Sequence, residues 1–195
     1  MFLSYIQCSH QMTKTALIVV DVQKGFDDPS WGTRNNPDAE SNITKLIAAW
    51  RHRRWPVIHI QHCSLLSDSP LNPTHRGNAF KEVAKPLDGE AVFTKTVNSS
   101  FIGTGLETHL RSQFIEDLVI VGLTTDHCVS TTTRMAGNLG FDTVLVSDAT
   151  ATFDRKGHDG RDYTADAIHN IHLASLHGEF CMVQTTHEVL QDKAE

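Results

Sequence analysis

The stretch VGLTTDHCVSTTTRMAG, residues 121–137, decides how the rest of the chain is read: it leaves an apolar run, crosses a short polar turn and enters a segment of helical period, with Cys128 at the junction. The run that feeds it, DLVIVG (117–122), is continuously apolar rather than alternating. That is the mark of a strand covered on both faces, as in parallel sheets. The runs ALIVVDV (16–22), PVIHIQH (56–62), AVFTKT (91–96), DTVLVSD (142–148) and CMVQT (181–185) have the same character. Between them lie segments of helical period at 38–53, where Ile43, Leu46, Ile47 and Trp50 recur at spacings of three and four, and at 104–113, 128–140 and 164–179. Strand and helix alternate throughout. The alternation predicts right-handed βαβ units and an α/β fold, a three-layer α/β/α sandwich with a parallel sheet of about six strands.

Composition narrows the function. A chain of 195 residues with 39% hydrophobic content fits one domain spanning 1–195, of which residues 1–14 are an N-terminal extension. The formal net charge of −6, from 17 Lys and Arg against 23 Asp and Glu, is dispersed along the chain. That speaks against a nucleic-acid footprint and for a small-molecule partner. Cys8, Cys63, Cys128 and Cys181 lie far apart with no CxxC pair, which favours neither a zinc site nor a disulfide scaffold. The N-terminal MFLSYIQCSHQMTK lacks the basic start and apolar core of a secretory signal. No run approaches the ~20 apolar residues of a membrane span. A cytoplasmic protein with no membrane partner is expected. Two segments, 63–90 and 148–163, break the rhythm and are long enough to be lids or interface arms.

In an open parallel sheet, ligands bind outside the carboxyl ends of the strands, so polar residues there are the candidates for chemistry. Asp21 ends the first apolar run, Lys95 ends AVFTK, and Cys128 follows the turn after DLVIVG. Each alone has an ordinary explanation, as a cap, a solvated lysine or a small buried hydrophobe, and Cys8, Cys63 and Cys181 take the last of these. Cys128 differs by its place. At a helix N-terminus the unpaired N–H groups and the helix dipole favour a thiolate. A nucleophilic thiol also needs a proton acceptor. His127 is adjacent, but neighbours at a turn point apart, so Asp21 is the better base, with Lys95 orienting acid and thiol.

ALIVVDVQKGF, the TK of VFTKTVNSSF, and VGLTTDHCVSTTTRMAGNLGFDTVLVSDATATF together resemble the isochorismatase-like cysteine hydrolases, which include nicotinamidase and N-carbamoylsarcosine amidase. The resemblance runs from about residue 15 to residue 190 and implies a fold of the kind inferred above. It implies Asp21 as acid/base, Lys95 as orienting cation and Cys128 as nucleophile. It also implies a non-proline cis peptide at Leu123–Thr124, with the N–H groups of Thr124 and Cys128 forming the oxyanion hole. The activity implied is hydrolysis of an amide or carbamoyl C–N bond of a small molecule through a thioester, with no cofactor. Members that cleave the vinyl ether of isochorismate typically lack the cysteine, which makes that activity an alternative here.

Nicotinamidases carry a D-x-H metal motif after the second strand, and the stretch HIQHCSLLSDSPLNPTHRG has none. His59 and His62 point to opposite faces of a strand, so joint ligation is disfavoured and no metal is expected. His169 and His172 share a helical face and read as packed or hydrogen-bonded, with Ile168, Ile171, Leu173 and Leu176 as core. Phe26 and Trp31, after Asp21, and Asn98 and Ser99, after Lys95, are the candidate substrate contacts. Arg76 and Asn78 on the long loop could add polar recognition.

Three further readings compete. A non-catalytic interaction or redox-sensing protein on the same fold would have no need of Asp21 and Lys95. An aspartyl-phosphate phosphotransferase wants a second carboxylate two residues after Asp21, where Gln23 stands. A dinucleotide-binding protein would need a Gly-rich turn after the first strand, where this sequence reads DVQKGF. The resemblance also implies a homo-oligomer, with 128–140 or 63–90 at the interface.

Overall fold

A computed structural model describes residues 15–192 of the chain; the N-terminal extension and Cys8 lie outside the described residues. In chain order the elements are β1 (Ala16–Val20), α1 (Ala39–Arg53), β2 (Val57–His62), β3 (Ala91–Lys95), α2 (Leu106–Ser112), β4 (Asp117–Leu123), α3 (Ser130–Asn138), β5 (Asp142–Ala151), β6 (Arg155–Lys156), β7 (Asp162–Tyr163), α4 (Ala165–Leu176), β8 (Met182–Gln184) and α5 (Thr186–Asp192). Short 3-10 turns punctuate the loops, and a π-helical turn, Thr125–Val129, joins β4 to α3.

Six strands form one sheet in the order β3-β2-β1-β4-β5-β8, every pair parallel. The sheet has the expected strand number and direction. Alternate residues of the central strands feed two cores, since successive side chains of a strand leave opposite faces. Leu17, Val19, Val119 and Val121 pack with Ile43, Leu46, Ile47 and Trp50 of α1 and Val189 of α5. Ile18, Val20, Ile58, Ile60, Leu118 and Ile120 pack on the other face with Leu106 and Leu110 of α2, Ala136 of α3 and Leu176 of α4. Each fully buried side chain of this size contributes roughly 1.5–3 kcal/mol. Trp50 is wholly buried, and its one polar atom, Nε1, donates to the Thr15 carbonyl at 2.9 Å.

The helix faces differ from the periodicity reading at α4. Ile171 is 63% exposed, whereas His169 is buried. The reason is a polar contact that an apolar count does not see: the His169 Nδ1 lies 2.9 Å from the Thr125 hydroxyl. That bond turns the histidine face of α4 onto the π turn and leaves Ile171 outside.

Chain order and sheet order together locate a crevice. From β1 the chain goes to β2 and β3 on one side, then crosses to β4 on the other. The carboxyl ends of β1 and β4 therefore border the point where the winding reverses, the usual place for a ligand in an open α/β sheet. At that point β4 runs very close to β1: a Cβ added to Gly122 would lie 1.9 Å from the Val20 carbonyl oxygen, at a φ of +123°. Only glycine fits there.

Candidate active site

Four neighbouring strand ends converge on this crevice. Asp21 follows β1 at a φ of +51°, a left-handed conformation that a non-glycine residue adopts only where its surroundings enforce it. His62 closes β2 and Lys95 closes β3, paired in register so that their side chains share a face. Cys128 sits one turn beyond β4, in the π turn. The Leu123–Thr124 peptide between strand and turn is cis.

The Lys95 ammonium is the hub. Its Nζ lies 2.6 Å from Asp21 Oδ2, 3.1 Å from His62 Nδ1 and 3.2 Å from Cys128 Sγ. An ammonium has three N–H groups, and here each has an acceptor. The Asp21 and Lys95 side chains are both fully buried, so this is an ion pair without solvent. Burial pushes the Asp21 carboxyl above its ordinary range, opposed by the Lys95 charge. Its second oxygen, Oδ1, is buried with no hydrogen-bond partner among the described residues. The Cys128 thiol is pushed up to about 12 by burial and by the Asp21 carboxylate, against the pull of Lys95. Position in sequence suggested a thiol acidified by a helix terminus, and the structure corrects this. Cys128 is the fourth residue of the π turn, 7% exposed and beside a carboxylate, so its resting form is the thiol.

Asp21, His62 and Cys128 each offer a metal-ligating atom, all within 4.8 Å of one another. Lys95 Nζ already contacts all three residues, so a protein cation stands where a metal would. His59 points away from this group, as its strand parity requires: its Nε2 lies 2.9 Å from Glu90 Oε2 on the opposite side of β2.

Above the thiol is a cavity of about 100 Å³ lined by Phe26, Trp31, His62, Leu71, Asn98, Thr124, His127 and Cys128. Phe26 and Trp31 form its aromatic wall, with ring centroids 5.1 Å apart, and Phe153 stacks behind both. Asn98 Oδ1 is 3.8 Å from Cys128 Sγ. Ser99 does not reach the cavity. It is buried, and its hydroxyl accepts the Phe101 N–H, the local bond expected of a serine at the start of a turn. Asn78 is buried in an amide cluster with Gln23, and Arg76 faces a separate open groove beside Lys24 and Asp27, so neither long-loop residue reaches the thiol. His62 and Leu71 are the lining residues that sequence reasoning missed. The available signal for His62 was its place as the last residue of a strand, the same criterion that selected Lys95.

Polar contacts behind the thiol hold the π turn. Besides the His169–Thr125 contact, the Ser130 hydroxyl lies 3.4 Å from His172 Nδ1. Asp126 accepts from the Thr152 hydroxyl and, at 3.0 Å, from Arg155 Nε. The two α4 histidines thus buttress the turn that carries Cys128, in keeping with the hydrogen-bonded helix face expected for them.

The sequence and the fold that carry this site find their counterpart in known proteins. The Isochorismatase domain family matches residues 15–188. The chain belongs to the isochorismatase family. It is 56% identical over 179 residues to the isochorismatase family protein YrdC of Bacillus subtilis (strain 168), covering 92% of this chain and 96% of that one. It superposes with a TM-score of 0.89 and 45% identity on a putative hydrolase of the isochorismatase family from Chromobacterium violaceum, over 91% and 92% of the two chains. It is 29% identical over 171 residues to the ureidoacrylate amidohydrolase RutB of Variovorax paradoxus (strain S110), over 70% of this chain and 68% of that protein. This isochorismatase-family hydrolase has no helix long and apolar enough to cross a membrane among its described residues.

Proposed function

We propose that this isochorismatase-family hydrolase cleaves a C–N bond, amide or carbamoyl, of a small molecule through a thioester on Cys128. The observation that carries the reading is the solvent-free contact of one ammonium with both a carboxylate and a thiol, Lys95 with Asp21 at 2.6 Å and Cys128 at 3.2 Å, beneath a cavity of about 100 Å³. A buried redox sensor has no use for a carboxylate that raises its thiol's pKa. A nucleophile deprotonated only as it attacks does.

Because the thiol rests protonated, attack and proton transfer are coupled. Cys128 Sγ forms a bond to the carbonyl carbon as its proton passes to Asp21, whose Oδ1 is the unpartnered oxygen. The carbonyl electron pair moves to oxygen, and the backbone N–H groups of Thr124 and Cys128 are the donors we assign to it. As the C–N bond breaks, Asp21 returns the proton to the departing amine or ammonia. Water then attacks the thioester, giving its proton to Asp21; the C–S bond breaks and the proton returns to sulfur. Lys95 keeps its charge throughout, holding the carboxylate in place as its charge comes and goes. The amidohydrolase activity named for RutB supports the C–N reading.

The test is intact-mass spectrometry of wild-type and Cys128→Ala protein with a panel of primary amides, ureido acids and carbamoyl compounds, scored with released ammonia. An acyl adduct on the wild type alone, accompanied by ammonia, is expected. Ammonia from the Cys128→Ala protein at the wild-type rate overturns the thioester route. Self-association through the 63–90 loop is the companion proposal, supported by Leu65 and Leu66, 81% and 69% exposed. Sedimentation as a monomer overturns it.

A further inference from the structure

His62 has a place in the site that neither the thioester chemistry nor the ion pair requires. Its backbone is clamped on both sides: its N–H donates to Gln23 Oε1 at 2.8 Å, and its carbonyl accepts Gln23 Nε2 at 3.0 Å and Asn78 Nδ2 at 2.9 Å. Gln23 is wholly buried, and Asn78 also donates to the Leu71 carbonyl at 2.7 Å, so one amide cluster fixes both His62 and Leu71 on the cavity wall. Buried amides with every bond satisfied hold a segment rigidly.

The ring chemistry follows from its neighbour. Lys95 Nζ is a donor only, and it lies 3.1 Å from His62 Nδ1, so Nδ1 must accept and the ring proton must sit on Nε2. Burial and the adjacent ammonium hold the imidazolium pKa down to about 4, which keeps the ring neutral. Nε2 is on the far side of the ring from Lys95 and has no hydrogen-bond partner among the described residues. The ring lines the cavity beside Cys128. A preoriented, uncharged N–H donor is thus offered to whatever occupies the space above the thiol. The other walls are Phe26, Trp31 and Leu71, which are apolar, and Asn98.

We propose that His62 is a substrate-binding residue whose Nε2–H donates to an acceptor atom of an uncharged acyl group seated over Cys128, with Gln23 and Asn78 as its positioning residues. The proposal rests on the reading of the Cys128 cavity as the substrate site. It selects acyl groups with an oxygen or nitrogen acceptor next to the scissile carbonyl over plain alkyl ones of the same size.

The test uses two alkylating probes of Cys128, so that it needs no hydrolysis and stands or falls apart from the proposed reaction. Iodoacetamide carries an amide acceptor and iodomethane carries none. Dividing the two second-order rate constants cancels any change in thiol acidity that a His62 variant causes through Lys95. In His62→Leu the iodoacetamide-to-iodomethane ratio is expected to fall about tenfold, the worth of one net hydrogen bond. His62→Gln, whose side-chain N–H can take the place of Nε2–H, is expected to recover most of the ratio. An unchanged ratio in His62→Leu overturns the proposal. Should that variant fail to fold, ¹⁵N NMR of the wild-type imidazole decides: the expected signal has the proton on Nε2 and shifts when acetamide is added. A proton on Nδ1, or no shift with acetamide, overturns it.

Discussion

Replacing Asp21 by Asn should make Cys128 more reactive toward an alkylating agent while making the enzyme worse at hydrolysis. The thiol is held at about 12 by burial first and by the Asp21 carboxylate second, with Lys95 opposing both. At pH 8 that leaves a thiolate fraction of about one part in 10⁴. Asp21→Asn removes the negative neighbour and leaves Lys95 Nζ, 3.2 Å from sulfur, free to stabilise the thiolate. Burial remains in the variant, so only the carboxylate's share of the rise is relieved, and each pH unit by which the thiol pKa falls raises the thiolate fraction about tenfold. Lower basicity costs intrinsic nucleophilicity by roughly 3-fold over the same unit, so a net gain of about 3-fold is left for each. Loss of the general base costs hydrolysis about 10²–10⁴-fold.

The assay is pseudo-first-order iodoacetamide labelling at pH 8, resolved by peptide mass so that Cys128 is followed separately from Cys63 and Cys181. Cys181 is the internal control. It is 7% exposed and pushed up to about 11 mainly by burial, so it must stay slow in both proteins. Parallel acceleration of Cys181 would mark unfolding. With Cys181 unchanged, a Cys128 rate in Asp21→Asn equal to or below the wild-type rate would refute the claim that the carboxylate suppresses the resting thiolate.

Other expectations follow from the same geometry. Lys95→Met strands the fully buried Asp21 carboxylate and should cost about 3–5 kcal/mol in urea denaturation, most of it recovered in the Asp21→Leu, Lys95→Met double variant; no recovery would mean that the two side chains are not coupled. In acid, Glu40 and Asp126 matter. Burial works against their charge, but hydrogen bonds from Arg34 and Lys81 to one, and from Thr152 and Arg155 to the other, hold both at about 2. A depressed carboxylate stabilises above its unfolded value of about 4 and loses that contribution as pH falls through 2, so the urea midpoint should drop across this window and drop less in Glu40→Gln. His169→Ala leaves the buried Thr125 hydroxyl without its imidazole partner and opens a cavity beneath the π turn. A loss of about 1–3 kcal/mol is expected by urea denaturation, together with slower ammonia release; wild-type values for both would show that α4 does not hold the turn.

Much of the fold is legible because the central strands are covered on both faces: near-continuous apolar runs are what a buried parallel strand requires, and the six apolar runs coincide with the six strands, although the edge strands β3 and β8 are only partly buried. Helix starts were less legible. A thiol just past a strand and a polar turn reads as a helix N-terminus, yet the first turn is π, and its electrostatics depend on the Asp21 carboxylate at the end of β1, more than half the chain away, which no local pattern contains. Asp21 and Lys95 are legible because each stands at the end of an apolar strand run. Ser99 lies off the cavity because the turn after Lys95 folds its hydroxyl back onto the Phe101 N–H.

His62 ends its strand as Lys95 does, and whether His59 and His62 could ligate a metal together is a separate matter. Strand parity answers that correctly in the negative, but parity also says that one of the two must share a face with Lys95, its register partner on β3. Adjacent parallel strands ending at the same level put their last residues side by side. In this sheet β3, β2, β1 and β4 end at such a level, so an ammonium, an imidazole, a carboxylate and, one turn later, a thiol meet although they are far apart in sequence. A parallel sheet therefore gathers a site from single residues without any motif longer than one position per strand. The recognisable stretch is the one around Cys128, because the turn after β4 supplies the thiol and, with Thr124 and His127, part of the cavity wall from neighbouring residues, whereas β2 and β3 each end on a single side chain at the site.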